Sequence, residues 1–160
     1  MTEPVVINAS PLILLSRGDH LGLLQAFASE VWVPTPVARE IRQRGPTDIT
    51  ARALSTTDWL RVHPELPIPE SIARRRLGAG ESATLAIALE HRLTAIIDDL
   101  AGRRCAEGLG LSLRGTLGIV LAAKRRGLIP AARPILADLI AGGLYLSERV
   151  LDEALRRVDE

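Results

Sequence analysis

Four carboxylates and one amide carry the chemistry that matters most in this sequence: Glu40, Glu81, the pair Asp98-Asp99, and Asn8. They are far apart in the chain, yet each lies beside a short apolar run. Asn8 follows Val5-Val6-Ile7, and Asp98-Asp99 follow Ala95-Ile96-Ile97. Glu40 sits on a helical stretch after Val31-Trp32-Val33, and Glu81 opens the long helix before Ala95. If the first and fourth apolar runs are neighbouring strands, all five side chains converge on one cleft. Converging carboxylates suit Mg²⁺ or Mn²⁺, hard cations that prefer oxygen ligands. Without a cation they repel one another, and at least one must take up protons more readily. The reaction such a site supports is phosphodiester hydrolysis, because the metal acidifies a bound water and stabilises charge on phosphoryl oxygens.

Each residue also has a plainer reading. Glu40 fits a solvated helix face. Glu81 fits a first-turn acid facing the helix dipole. Asp99 fits a cap for a helix starting at Ala101, and Asp98 is the more structural of the pair. Asn8 fits an Asx-turn or cap. Spacing alone leaves these alternatives open.

The elements that must position these residues follow from local signals. Three short apolar runs, Val5–Ile7, Val31–Val33 and Ala95–Ile97, read as buried strands, and Trp59–Val62 and Leu111–Leu113 read as two more. Ser10 with Pro11 behind it predicts a helix start, running to a stop at Gly18. Further helices are predicted from His20 to Ala28, over Val37–Ile41, from Asp48 to Thr56, and from Ser82 to Arg92. Others cover Ala101–Glu107, Leu117–Arg126 capped by Thr116 and stopped by Gly127, Ala131–Ala141 and Ser147–Val158. Pro64, Pro67 and Pro69 make a loop too short to link domains. Strands and helices alternate, which predicts an α/β domain with a parallel sheet covered on both faces. Ligands in such sheets bind outside the carboxyl ends of the strands.

Composition narrows the function further. At 160 residues, with 47% hydrophobic and 24% charged, the sequence predicts one domain over residues 1–160, large enough to fold without disulfides. A single cysteine, Cys105, excludes a disulfide framework and a cysteine zinc site; it reads as a small core residue. No apolar run approaches a membrane span and no basic, apolar leader opens the chain, so a cytoplasmic protein with no membrane attachment is expected. A net charge of +1 gives no global pull on nucleic acid, although all cations but Lys124 are arginines, which suit bidentate phosphate contacts. Aromatics at 2% argue against a base-stacking reader of the RRM type. Gly78-Ala79-Gly80-Glu81-Ser82-Ala83 fits a loose dinucleotide fingerprint, but the residues before it do not read as a strand, and Glu81 would face the pyrophosphate. The three histidines lack metal-ligand spacing.

The ordered set Asn8-Ala9-Ser10-Pro11-Leu12-Ile13, Val33-Pro34 with Glu40, Gly78-Ala79-Gly80-Glu81 with Ala83 and Ala86, Ile97-Asp98-Asp99, and Gly115-Thr116-Leu117-Gly118 resembles the PIN-domain family, in its VapC-toxin-like branch. The resemblance covers about residues 4 to 155. It implies a Rossmann-like three-layer α/β/α fold, with about five parallel strands in the order 3-2-1-4-5. It implies a Mg²⁺- or Mn²⁺-dependent ribonuclease, the toxin of a toxin–antitoxin pair, with RNA and a small antitoxin-like protein as partners. The family's four acidic positions fall on Asn8, Glu40, Glu81 and Asp99, with Glu40, Glu81 and Asp99 as catalytic carboxylates and Asp98 as a neighbouring metal candidate. Thr116 matches a further polar position, and with Ser10 it is read as positioning substrate. PIN toxins usually dimerise, and Leu12–Leu15 and Leu21–Leu24 are read as apolar surface to spare for a homodimer. Nuclease members generally carry Asp where this chain has Asn8. The alternative reading is therefore a weakly active or inactive binding or regulatory protein.

Overall fold

The computed structural model describes residues 3–160. Its core is a five-stranded, wholly parallel sheet in the order β3-β2-β1-β4-β5. The strands are β1 (Val5–Ile7), β2 (Val31–Pro34), β3 (Leu60–His63), β4 (Thr94–Ile96) and β5 (Leu113–Arg114). β1 lies at the centre. Val5, Val6 and Ile7 pair with Thr94, Ala95 and Ile96 on one side, and Val5 and Val6 with Val31 and Trp32 on the other. Parallel strands require crossovers, and the helices that make them cover both faces of the sheet. This is the three-layer α/β/α arrangement that the sequence implies.

Alternation along the strands assigns the two cores. Val5, Ile7, Val31, Val33, Leu60 and Ile96 point to one face. There they meet α1 (Ala9–Arg17), α2 (Thr35–Arg42), α3 (Ile49–Thr56), α7 (Thr116–Arg125), α8 (Arg133–Ala141) and α9 (Glu148–Arg156). Val6, Ala95 and Ile97 point to the other face, under α4 (Glu70–Ala73), α5 (Ala79–His91) and α6 (Leu100–Gly108). Wholly buried side chains such as Ile7, Leu85 and Ile97 are each worth about 1.5–3 kcal/mol of burial. Cys105 is buried in the second core, as expected.

Several predicted boundaries shift, each for a local reason. The first helix starts at Ala9 with Asn8 as its N-cap, so Ser10 and Pro11 stand inside the first turn rather than at the cap and first position. Proline is tolerated there because first-turn N–H groups have no intrahelical partner. The stretch predicted helical from His20 to Ala28 is a 3₁₀ helix, Leu21–Ala26. β5 starts two residues later than expected and ends one later, and β4 lies one residue earlier. The proline loop contains the short α4, started by Pro69 at its N-cap. α5 begins three residues early, so the glycines of Gly78-Ala79-Gly80 belong to a helix start preceded by α4 and not by a strand. The dinucleotide fingerprint is thereby set aside.

Leu12, Leu14, Leu15 and Leu24 are buried within the monomer. They are core residues and not spare surface, which removes the sequence argument for a homodimer through these segments. Among the described residues, no helix is long and apolar enough to cross a membrane.

Candidate active site

Beyond the carboxyl end of β1 lies a cleft of about 480 Å³, lined by Asn8, Ser10, Arg39, Glu40, Gln43, Gly80 and Glu81 among others, but not by Asp98 or Asp99. Neighbouring positions of β1 and β4 bring the first and fourth acidic positions to the same edge. α2 and α5 deliver the other two. Two small residues allow the approach. A Cβ on Gly80 would stand 3.2 Å from Asn8 Oδ1, 3.2 Å from Val37 Cγ2 and 3.7 Å from Glu40 Oε2. A Cβ on Gly102 would stand 3.1 Å from Glu81 Oε2 and 3.0 Å from Ile97 Cγ2. Side chains at either position would push into the acidic groups.

Asn8 is 7% exposed, and its side chain makes no capping hydrogen bond. It anchors the strand end through its backbone N–H, which donates to Ile96 O at 3.0 Å. The amide oxygen is left turned toward Gly80 and the cleft. Glu40 is exposed on α2. Glu81 is half-buried in the first turn of α5. Its Oε2 is the one buried side-chain oxygen or nitrogen among the described residues without a hydrogen-bond partner. Burial first, and then the charges of Asp99 and Glu40, push its carboxyl above the ordinary range. An ionised carboxylate with an unmet oxygen and like-charged neighbours is costly unless a cation joins it.

The pair after β4 divides its work. Asp99 caps α6, with Oδ2 accepting from the N–H groups of Ala101 at 3.1 Å and Gly102 at 3.4 Å. The plainer reading of Asp99 thus holds in this structure, while its charge still reaches Glu81. Asp98 turns the other way. Its Oδ1 accepts from the Thr116 N–H at 2.7 Å, and its Oδ2 from the Thr116 hydroxyl at 2.6 Å. Thr116 is fully buried. These bonds tie the end of β4 to the start of α7 and occupy both Asp98 oxygens. Asp98 is therefore turned away from the cleft, and Thr116 has no surface to offer a substrate. Of the two residues read as positioning substrate, only Ser10 is exposed at the cleft.

Among the described residues, no three His, Cys, Asp or Glu side chains stand close enough together to grip an ion as placed. The donor set nonetheless fits a hard divalent cation. It consists wholly of oxygens, it holds an orphaned carboxylate oxygen, and it lies on two cradles kept open by glycine. Sequence reasoning did not single out Arg39, Gln43 or Gly102. Arg39 sits one residue before Glu40, and its placement at the cleft follows from α2 starting at Thr35.

A family model for the PIN domain matches residues 4–160. The chain belongs to the PIN-domain family. Its strand order and the acidic edge beyond β1 and β4 agree with that membership. The PIN domain places the chain in a nuclease superfamily whose members generally depend on divalent metal and bind RNA. No curated protein sequence matches the chain.

Proposed function

We propose that this PIN domain is a Mg²⁺- or Mn²⁺-dependent endoribonuclease. The observation that carries the reading is Glu81 Oε2, buried without a partner and facing the charges of Glu40 and Asp99. Glu40, Glu81, Asp99 and the Asn8 amide oxygen would hold the cation. When bound, the cation stabilises charge on the phosphoryl oxygens and acidifies a water. The chain's own residues do the rest. Glu81 is held at the start of α5 with its free oxygen facing the cation's place. Arg39 stands at the cleft to hold a phosphate, and Ser10 offers a hydroxyl beside it. Asp98 and Thr116 fix the turn that aims Asp99.

The test is calorimetry with Mn²⁺ on wild type and Glu81→Gln, beside cleavage of end-labelled RNA with and without EDTA. Metal-dependent cleavage in wild type, lost together with Mn²⁺ affinity in Glu81→Gln, supports the reading. Equal Mn²⁺ affinity in the two proteins refutes it. Asn8 leaves the site one negative charge short of four, which favours a second reading: a domain that binds metal and RNA but cleaves weakly and acts as a regulator. Mn²⁺ and RNA binding with no cleavage would decide for it.

The VapC-like pattern of the sequence supports placing the protein as the toxin of a toxin–antitoxin pair, with a small inhibitory protein partner and a homodimeric state. Co-expression with the product of the adjacent gene tests the first: a complex that blocks cleavage supports it, and unimpeded cleavage opposes it. Light scattering tests the second.

A further inference from the structure

A second, larger groove of about 870 Å³ lies between α6, β5, α7 and the segment joining α8 to α9. It includes Asp98 and Leu100, the residues on either side of Asp99. Four arginines line it: Arg103, Arg114, Arg125 and Arg157. Elsewhere Arg44, Arg61 and Arg149 have carboxylate partners. None of the four in the groove forms an ion pair among the described residues. Arg103 donates to Ile97 O at 3.4 Å, and Arg114 lies over the Phe27 ring at 4.8 Å. Arg125 and Arg157 are exposed and uncommitted. Asp98 is the only acid lining the groove, and both its oxygens are taken by Thr116. Tyr145, the chain's single tyrosine, stands 87% exposed on the rim, above an apolar floor that includes Leu117 and Leu121.

A polyanion fits this groove. A second copy of the chain does not, because a two-fold contact here would face the same arginines against each other. Arginines along a groove with an exposed aromatic platform are the requirements of single-stranded nucleic acid: guanidinium groups for phosphates, a ring for a base. We infer that the RNA strand leaving the acidic cleft runs past Arg103 into this groove, with Arg125 and Arg157 holding phosphates and Tyr145 stacking a base. The inference rests on the ribonuclease reading and adds the strand's path and the residues that set its reach.

Fluorescence anisotropy tests it, using labelled phosphorothioate-linked oligouridylates of three and of twelve nucleotides in Mg²⁺, so that the site is loaded while cleavage is suppressed. The variants are Arg125→Gln/Arg157→Gln and Tyr145→Ala, all at exposed positions where folding is not at stake. The double variant should bind the twelve-mer about tenfold or more weakly, and its salt slope should fall by about 1.4, two phosphates at ~0.7 each. Tyr145→Ala should lose roughly tenfold. Binding of the three-mer, confined to the cleft, and Mn²⁺ affinity should not change. If wild type binds neither oligonucleotide, the ribonuclease reading falls and the path with it. If wild type binds the twelve-mer and the groove variants bind it equally well, with the same salt slope, only the path is overturned, and the groove is left to an acidic protein partner.

Discussion

Asn8→Asp separates the electrostatic account of the cleft from the plainer one, because its sign changes with metal. Asn8 Oδ1 and Glu40 Oε2 lie 3.2 and 3.7 Å from one point beside Gly80. They are therefore no more than about 7 Å apart, where two unit charges at an effective dielectric of 20 repel by about 2.4 kcal/mol. Glu40 is exposed, and solvent and salt reduce this to about 1–2 kcal/mol. The position itself is 7% exposed, so desolvation of the introduced carboxylate adds to the cost. Metal-free Asn8→Asp should be about 1–3 kcal/mol less stable than wild type at pH 7. Burial and repulsion raise the new carboxyl's folded pKa above its unfolded value of about 3.9. The folded state then binds more protons between those two values, so stability falls as pH rises through that window. The deficit should vanish below about pH 4, where both states are protonated, and be complete above the raised value. With Mn²⁺ the sign reverses. A divalent ion near 4 Å gains about 8 kcal/mol from the new charge, and desolvation and repulsion cancel most of that. The net of about 1–3 kcal/mol is a ten- to hundredfold gain in affinity. Urea unfolding in EDTA at pH 7 and pH 4, with Mn²⁺ calorimetry at pH 7, measures both halves. A metal-free variant as stable as wild type at pH 7, or unchanged Mn²⁺ affinity, refutes the placement of Asn8 at the metal.

Glu81→Gln should flatten the pH dependence of metal-free stability. Wild-type Glu81 binds its proton more tightly when folded, so its contribution is most favourable at low pH and is lost as pH rises through the raised value. Equal slopes in urea unfolding above pH 4 would contradict this. Asp99→Asn should keep the fold, because asparagine caps a helix about as well as aspartate, while Mn²⁺ affinity drops at least tenfold. Thr116→Val should act mainly on stability, costing about 1–3 kcal/mol by stripping a donor from Asp98, and should lower Mn²⁺ affinity less than Asp99→Asn does. Gly102→Ala should weaken Mn²⁺ binding by displacing Glu81 Oε2, which its Cβ would approach to 3.1 Å; calorimetry checks both of these last variants.

The strands and their burial were legible because three of them are nearly pure β-branched and apolar runs, and Asp48 and Ser147 announced the helices they cap. The 3₁₀ helix was not, because Leu21 to Ala26 has the apolar content of an α-helix, and only its tertiary packing sets the tighter winding. At the site, residue types identified Glu40 and Glu81 as candidates. They marked Asp98 as the more structural of the adjacent pair, but not the partner that makes it so. The turn after β4 is set by the Thr116 N–H and hydroxyl, eighteen residues on. Gly80 was visible in a motif and in a misleading fingerprint, but its use was not, because letting Asn8 and Val37 close in has a meaning only once α5 meets α2.

The central position of β1 has a consequence for how the protein comes into being. The first strand made must wait for Thr94–Ile96 before its second edge is covered. At about 5–20 residues per second, roughly 5–20 seconds of synthesis separate the two. The acidic set draws on residues 8, 40, 81 and 99, so it too is complete only when more than half of the chain has emerged. A nascent or truncated chain ending before β4 carries three of the four acidic-site positions on a sheet of β1, β2 and β3 only, with one edge of β1 bare and Asp99 missing. Whatever the full acidic set does to nucleic acid is thereby withheld from any ribosome-bound fragment that ends before Asp99.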